Sequence, residues 1–348
     1  MSYTERVAHP SDRVFLLAVV VATKFGVLFS GEGAYHDHPE LVVNSGASWV
    51  RLNLSLNAND QDYTPFLAAG LNVVLTINNR DPSNADTTYG TLQQWTRGGF
   101  PYKSRSAYEQ RVSETLAPAL PYLARGRQVL VQCENEVGDV AVNANGIYWR
   151  GTTDQYMAQL SGMAEAVRAL SPSLRVVISS FTSDGLDAVL NPADPRYTYS
   201  TTRFSRMLTE GVYDFADLHF YGCASTIGAK AQWVTTRLPS GRGWISTENG
   251  GPDYTCSTTP LQYSQNPSAF EQSEAAQVPL RLKACSDNGG AVCLWFSLLD
   301  LKGESEQYAH LGLLDQSSSP PREKPAYAAY QTFIQSQAVT MKRRAVKH

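Results

Sequence analysis

The chain has 348 residues, 43% of them hydrophobic, and 29 Lys+Arg stand against 32 Asp+Glu for a net charge of −3. That charge leaves no basic excess to neutralise a phosphate backbone, and the one Lys/Arg cluster is the terminal MKRRAVKH, so nucleic acid is not an expected partner. No apolar run reaches the ~20 residues of a membrane span, and 18 Tyr, 12 Phe and 6 Trp argue for a folded surface with aromatic contacts rather than disorder.

Residues 1–23 form an N-terminal tail. Within it Val14–Ala22 (VFLLAVVVA) reads either as the core of a signal peptide ending in Val20-Val21-Ala22 or as a buried strand. The first reading makes the protein secreted or extracytoplasmic, the second leaves it cytoplasmic. Eight strand candidates follow: Phe25–Phe29, Trp49–Asn53, Asn72–Ile77, Gln128–Gln132, Arg175–Ser179, Phe215–Phe220, Trp244–Thr247 and Ala291–Phe296. Helical spacing is clearest over Ala107–Leu123, Asp154–Leu170, Phe270–Ser286 and Pro325–Ser336. Eight strands alternating with helix or loop predict a single (β/α)8 barrel over residues 24–337, with 338–348 a basic C-terminal tail. A doubly wound sheet is the alternative, but Gly26, Gly31 and Gly33 do not make the phosphate-binding GxGxxG turn.

A barrel of this kind carries its active site at the carboxyl ends of its strands. The fourth strand ends in Cys133-Glu134-Asn135-Glu136, and the sixth carries Asp217, His219 and Tyr221 in alternation. The seventh ends in Ser246-Thr247-Glu248-Asn249, and the eighth contains Leu294-Trp295-Phe296. Two carboxylates facing each other across a barrel mouth can cleave a glycosidic bond, one protonating the leaving oxygen while the other attacks the anomeric carbon or activates water.

On these residues the chain resembles the retaining glycoside hydrolases of clan A, such as the family 5 and family 39 barrels. The resemblance rests on Asn135-Glu136, Thr247-Glu248, Tyr221, Trp295, Arg51 in WVRLN, and the closing LWFSLLD, HLGLLD and KPAYAAYQTF segments. It implies that Glu136 is the acid/base, Glu248 the nucleophile and Asn135 a contact to a sugar hydroxyl. It further implies that Tyr221 and Arg51 hold the nucleophile and that Trp295 forms the floor under the sugar. The implied partner is a poly- or oligosaccharide acted on by a monomer, with no cofactor and no metal. Val137 stands where several families have proline, and FGVLFS lacks an asparagine common in related barrels, so no single family is indicated.

Other readings compete. Glu134 is an alternative acid, a lumen carboxylate paired with Arg51, or a like charge on the strand face of Glu136. His219 is either a ligand contact or a satisfied buried histidine. The pair His36 and His38, with His219 and Asp300, resembles an amidohydrolase ligand set, whereas in a glycosidase His36 or His38 would line the sugar cleft. A non-catalytic carbohydrate-binding barrel is the third class. Tyr89, Trp95, Phe100 and Tyr102, between the third and fourth strands, are candidate stacking platforms or loop packing. Of five cysteines, Cys223 and Cys256 lie in loops expected side by side at the catalytic face and are expected to pair. Cys133 and Cys293 read as buried thiols and Cys285 as a residue near a helix end.

Overall fold

In the computed structural model, the residues described are 23–29, 38–57, 62–142, 148–252, 261–301 and 303–345. Eight parallel strands close into a barrel in chain order: β1 (Phe25–Leu28), β2 (Trp49–Ser55), β3 (Asn72–Asn78), β4 (Val129–Cys133), β5 (Arg175–Val177), β6 (Phe215–Phe220), β7 (Gly243–Asn249) and β8 (Cys293–Trp295). β1 pairs with both β2 and β8, so the barrel closes and the doubly wound alternative falls away. Each expected strand is present within two residues of its ends, because a run of apolar, β-branched residues buried on both sides has few other ways to fold.

The strand residues divide by parity. One set packs outward with the helices into the main core. The other set, Trp49, Val74, Leu130, Val177, Ile245 and Leu294, forms a separate apolar cluster drawn from six strands, and this is the plug inside the barrel. Above the plug, toward the carboxyl ends, the inward residues turn polar and the site begins.

Of the expected helices, Thr153–Leu170 starts with a capping box, Thr152 accepting from the Gln155 amide and Gln155 accepting in return from Thr152. The stretch expected as one helix at Ala107–Leu123 is divided: Arg105–Leu116 is helical, Ala117–Ala119 tightens to a 3₁₀ turn containing Pro118, and Leu120–Leu123 resumes. Helix Pro267–Asp287 precedes β8, and the last helix, Pro325–Ala345, runs past residue 337. No helix among the described residues is long and apolar enough to cross a membrane.

One cysteine expectation is corrected. Cys293 is bonded to Cys285 rather than being a free buried thiol. The turn after helix Pro267–Asp287 brings β8 back beside the helix end, and Gly290 sits where a Cβ would collide with both sulfurs, so only glycine leaves room for the bond. Cys133 is a buried free thiol as expected. The pairing expected of Cys223 involves Cys256, which lies outside the described residues, as do His36 and Val14–Ala22.

Candidate active site

The polar layer is organised around Arg51, fully buried on β2. Its Nη1 donates to Glu248 Oε1 at 2.6 Å and to Thr247 Oγ1 at 3.0 Å, its Nη2 to Asn135 Oδ1 at 2.7 Å, and its Nε to Thr76 Oγ1 at 2.8 Å. In a regular strand Thr247 and Glu248 would face opposite ways. Between Ile245 and Glu248 the pairing with β6 shifts, Asp217 facing Ile245 and His219 facing Glu248, and this bulge lets both side chains reach the same guanidinium. Tyr221 donates its hydroxyl to Glu248 Oε2, so both oxygens of that carboxylate are held.

His219 is the second buried cation. Its Nδ1 lies 2.7 Å from Glu136 Oε1 and 3.3 Å from Glu248 Oε2, and its Nε2 lies 3.2 Å from Thr247 Oγ1 and 3.3 Å from Asp217 Oδ2. Burial by itself would depress its pKa, but the charges of Glu248 and Asp217 and the hydrogen bonds to Asp217 and Glu136 outweigh it and raise the pKa to about 10. Asp217 is the anchor beneath. It accepts from Thr247 N and Oγ1, Ser180 Oγ and Gln132 Nε2 at 2.6 to 2.9 Å. Desolvation opposes its ionisation, yet His219, Arg51 and these donors hold its carboxyl far below the usual carboxylate range.

Glu136 follows a sharp turn in which Glu134 and Glu136 both have positive φ, 62° and 40°. The turn sends the two side chains apart. Glu136 reaches into the mouth toward His219. Glu134 is fully buried, with Oε1 accepting from Asn79 N at 2.8 Å and Gln159 Nε2 at 2.6 Å, and does not touch Arg51. Its Oε2 has no partner and lies against Gly99, where any Cβ would collide with the carboxyl. Burial raises its pKa to about 8, against the pull of Asn79, Gln159 and the nearby Arg80. Glu134 is therefore not a partner of Arg51.

A cavity of about 380 Å³ opens over these groups, lined by Asn135, Glu136, Tyr148, Ser183, Tyr221, Glu248, Phe296 and Tyr308, among others. Oxygen atoms of Glu136 and Glu248 and a ring nitrogen of His219 all lie within 4.8 Å of one another. These three have the spacing of a metal site, and here the same atoms are engaged with one another and with Arg51 and Tyr221. Among the described residues the amidohydrolase set is not assembled: His38 bonds Glu40, and Asp300 bonds Lys324 at 3.1 Å and the Gly312 amide at 2.8 Å.

Of the expected contacts, Arg51, Asn135, His219, Tyr221, Glu136 and Glu248 come together. Trp295 does not line the cavity: it is fully buried in the main core, with Nε1 donating to Leu311 O, and its neighbour Phe296 faces the opening instead. Of the stacking platforms expected before β4, three pack the loop: Phe100 is fully buried, Tyr102 packs on Tyr108, and the Arg150 guanidinium covers Trp95 at 3.7 Å, whereas Tyr89 is exposed. Tyr148 and Tyr308, which line the cavity, and Thr76, Gln132 and Ser180, which support it, were not singled out from sequence. Parity on β3 and β4 would have placed Thr76 and Gln132 inward; nothing local marks the others.

This is the fold of the clan A glycoside hydrolase barrels. An exo-β-1,4-mannosidase from Opitutaceae bacterium strain TAV5 superposes with a TM-score of 0.57 at 15% identity, over 91% of this chain and 60% of that one, so the chain spans less than two thirds of the mannosidase. A family 5 xyloglucanase from Paenibacillus pabuli matches with a TM-score of 0.53 at 12% identity, over 88% of this chain and 92% of that one. The GH53 catalytic domain from Ignisphaera aggregans matches at 0.51 and 15% identity, over 85% and 88%. No protein-family profile matches the chain, and no curated protein does.

Proposed function

We propose that the chain is a retaining glycoside hydrolase that cleaves an O-glycosidic bond of a poly- or oligosaccharide through a covalent glycosyl-enzyme. The observation that carries this reading is the approach of the Glu136 and Glu248 carboxyl oxygens to within 4.8 Å at one barrel mouth. Retaining pairs stand about 5 to 5.5 Å apart and inverting pairs about 6.5 to 9.5 Å, because the latter must admit a water.

The two carboxyls have different surroundings that suit different tasks. Glu248, gripped by Arg51 and Tyr221, is oriented to attack the anomeric carbon. As that bond forms, the bond from carbon to leaving oxygen breaks and Glu136 gives its proton to that oxygen. In the second step Glu136 takes a proton from water, which attacks the same carbon and frees Glu248. Asn135 has its Oδ1 occupied by Arg51, which leaves its amide N–H groups for a sugar hydroxyl.

Glu248→Ala should abolish turnover on a panel of aryl glycosides and polysaccharides, with azide restoring it as a glycosyl azide of inverted configuration. Glu136→Ala should keep activity on substrates with activated leaving groups. Turnover that survives Glu248→Ala overturns the assignment. We also propose that the protein works outside the cytoplasm; the Cys285–Cys293 disulfide supports this, since such bonds persist in oxidising compartments.

A further inference from the structure

A second cavity, of about 540 Å³, adjoins the first and shares Glu136, Tyr148, Thr182 and Asp184 with it, whereas Glu248 lines only the first. In the proposed reaction the acid protonates the leaving oxygen, so the leaving group lies on the Glu136 side. Its walls are apolar at Val137, Val142 and Pro195 and aromatic at Tyr148 and Tyr199.

Arg203, on helix Tyr197–Glu210, also lines this cavity and is 8% exposed. Its Nη1 donates to Val137 O at 2.7 Å and Tyr199 Oη at 2.8 Å, and the guanidinium packs against the rings of Tyr199 and Phe204 at 4.6 and 4.9 Å. No carboxylate among the described residues forms an ion pair with it, and its Nε has no hydrogen-bond partner. The nearby Asp139 already accepts from Thr153 and Ala141. By contrast Arg51 is matched by Glu248, His219 by Asp217 and Glu136, and Lys230 by Asp187. Arg196, on the same wall, is matched by Asp184 and Asp194.

A buried guanidinium without a counter-ion is costly, and with Nη1 spent on Val137 and Tyr199 and Nε enclosed, its Nη2 remains to meet a carboxylate. We propose that this second cavity is the leaving-group site and that it takes a sugar bearing a carboxylate, a uronic acid, with the anion on Arg203 and the apolar ring face on Tyr199 and Val137. The proposal rests on the glycosidase reading for the direction of the cleft, but the anion site stands on Arg203 alone. Burial, the largest influence, lowers the Arg203 pKa; Tyr199, Asp139 and Glu136 oppose it, in keeping with a cation that lacks a close counter-charge.

The test titrates wild-type protein with D-glucuronate and D-galacturonate against D-glucose and D-galactose, following binding by NMR at low and high ionic strength. A uronate should bind at least tenfold more tightly than its neutral counterpart, and salt should weaken it. Arg203→Lys should retain part of the preference and Arg203→Met should remove it, each checked for folding by circular dichroism. Equal binding of acidic and neutral sugars by the wild type overturns the proposal whatever the variants do, as does a preference that survives in folded Arg203→Met. Hydrolysis assays with Glu248→Ala separate the two claims. Loss of turnover there without uronate preference removes the anion site and keeps the glycosidase; uronate binding through Arg203 without any Glu248-dependent turnover does the reverse.

Discussion

Replacing Glu134 by Gln changes one proton and almost no volume in a site closed to solvent. The wild-type carboxyl titrates near 8 in the folded protein, because burial penalises its charge, and near 4.5 when unfolded. The folded state therefore holds the proton more tightly. The stability this gives is fully present below pH 4.5 and is lost as pH rises through 8, by at most about 5 kcal/mol at about 1.4 kcal/mol per pH unit. Glutamine keeps the oxygen that accepts from Asn79 and Gln159 but turns its NH₂ toward Gly99, where no acceptor waits. At pH 5 the protonated wild-type carboxyl leaves its own O–H unpaired at the same place, so the two proteins should be close in stability. Above pH 8 Glu134→Gln should be the more stable, since the variant has no charge to bury. Urea unfolding from pH 5 to 9 reads both quantities. Glu274, buried and also raised to about 8 chiefly by desolvation, adds to the slope of both proteins and cancels in the difference. Parallel curves for the two proteins would refute the reasoning. Turnover at pH 6 should persist in Glu134→Gln, whereas its abolition would restore Glu134 as the acid.

Arg51→Met should lower turnover at least about a hundredfold and stability by about 3 to 5 kcal/mol, since it leaves Glu248 buried without its cation; kinetics and denaturant unfolding measure the two. His219, with its pKa raised to about 10, should show no imidazole titration by NMR between pH 5 and 8. The stability its proton contributes should be fully present below about 6.5 and lost as pH rises through 10, so deprotonation below pH 8 would contradict the network described. Reducing Cys285–Cys293 should lower stability by about 2 to 3 kcal/mol, the loop it closes being short. Thiol counting on denatured, unreduced protein should find no more than three of the five cysteines free, and five would exclude the bond.

The barrel and its two glutamates were legible because both depend on local patterns. An apolar run bounded by breaks becomes a strand wherever it lies, and eight such runs alternating with helices leave few ways to bury both faces. Glu136 and Glu248 then fall at strand ends by counting alone. The interior of the site is different. The shift in the β6–β7 pairing that turns Thr247 and Glu248 together onto Arg51 breaks the alternation from which side-chain direction would be read. Counting along β4 likewise puts Glu134 and Glu136 on one face, but two successive reversals of φ send one carboxyl under Gly99 and the other into the mouth. Trp295 and Phe296 are adjacent, and which of them meets the cavity depends on the paths of β1, β7 and the segment around Leu311. Cys293 finds Cys285 only because the chain doubles back at Gly290. The sequence by itself determined the strand order and the positions of the two carboxyls along it. Which side chains meet was decided by the closed barrel, because bulges, turns and long-range pairings override the period of two that a single strand reveals.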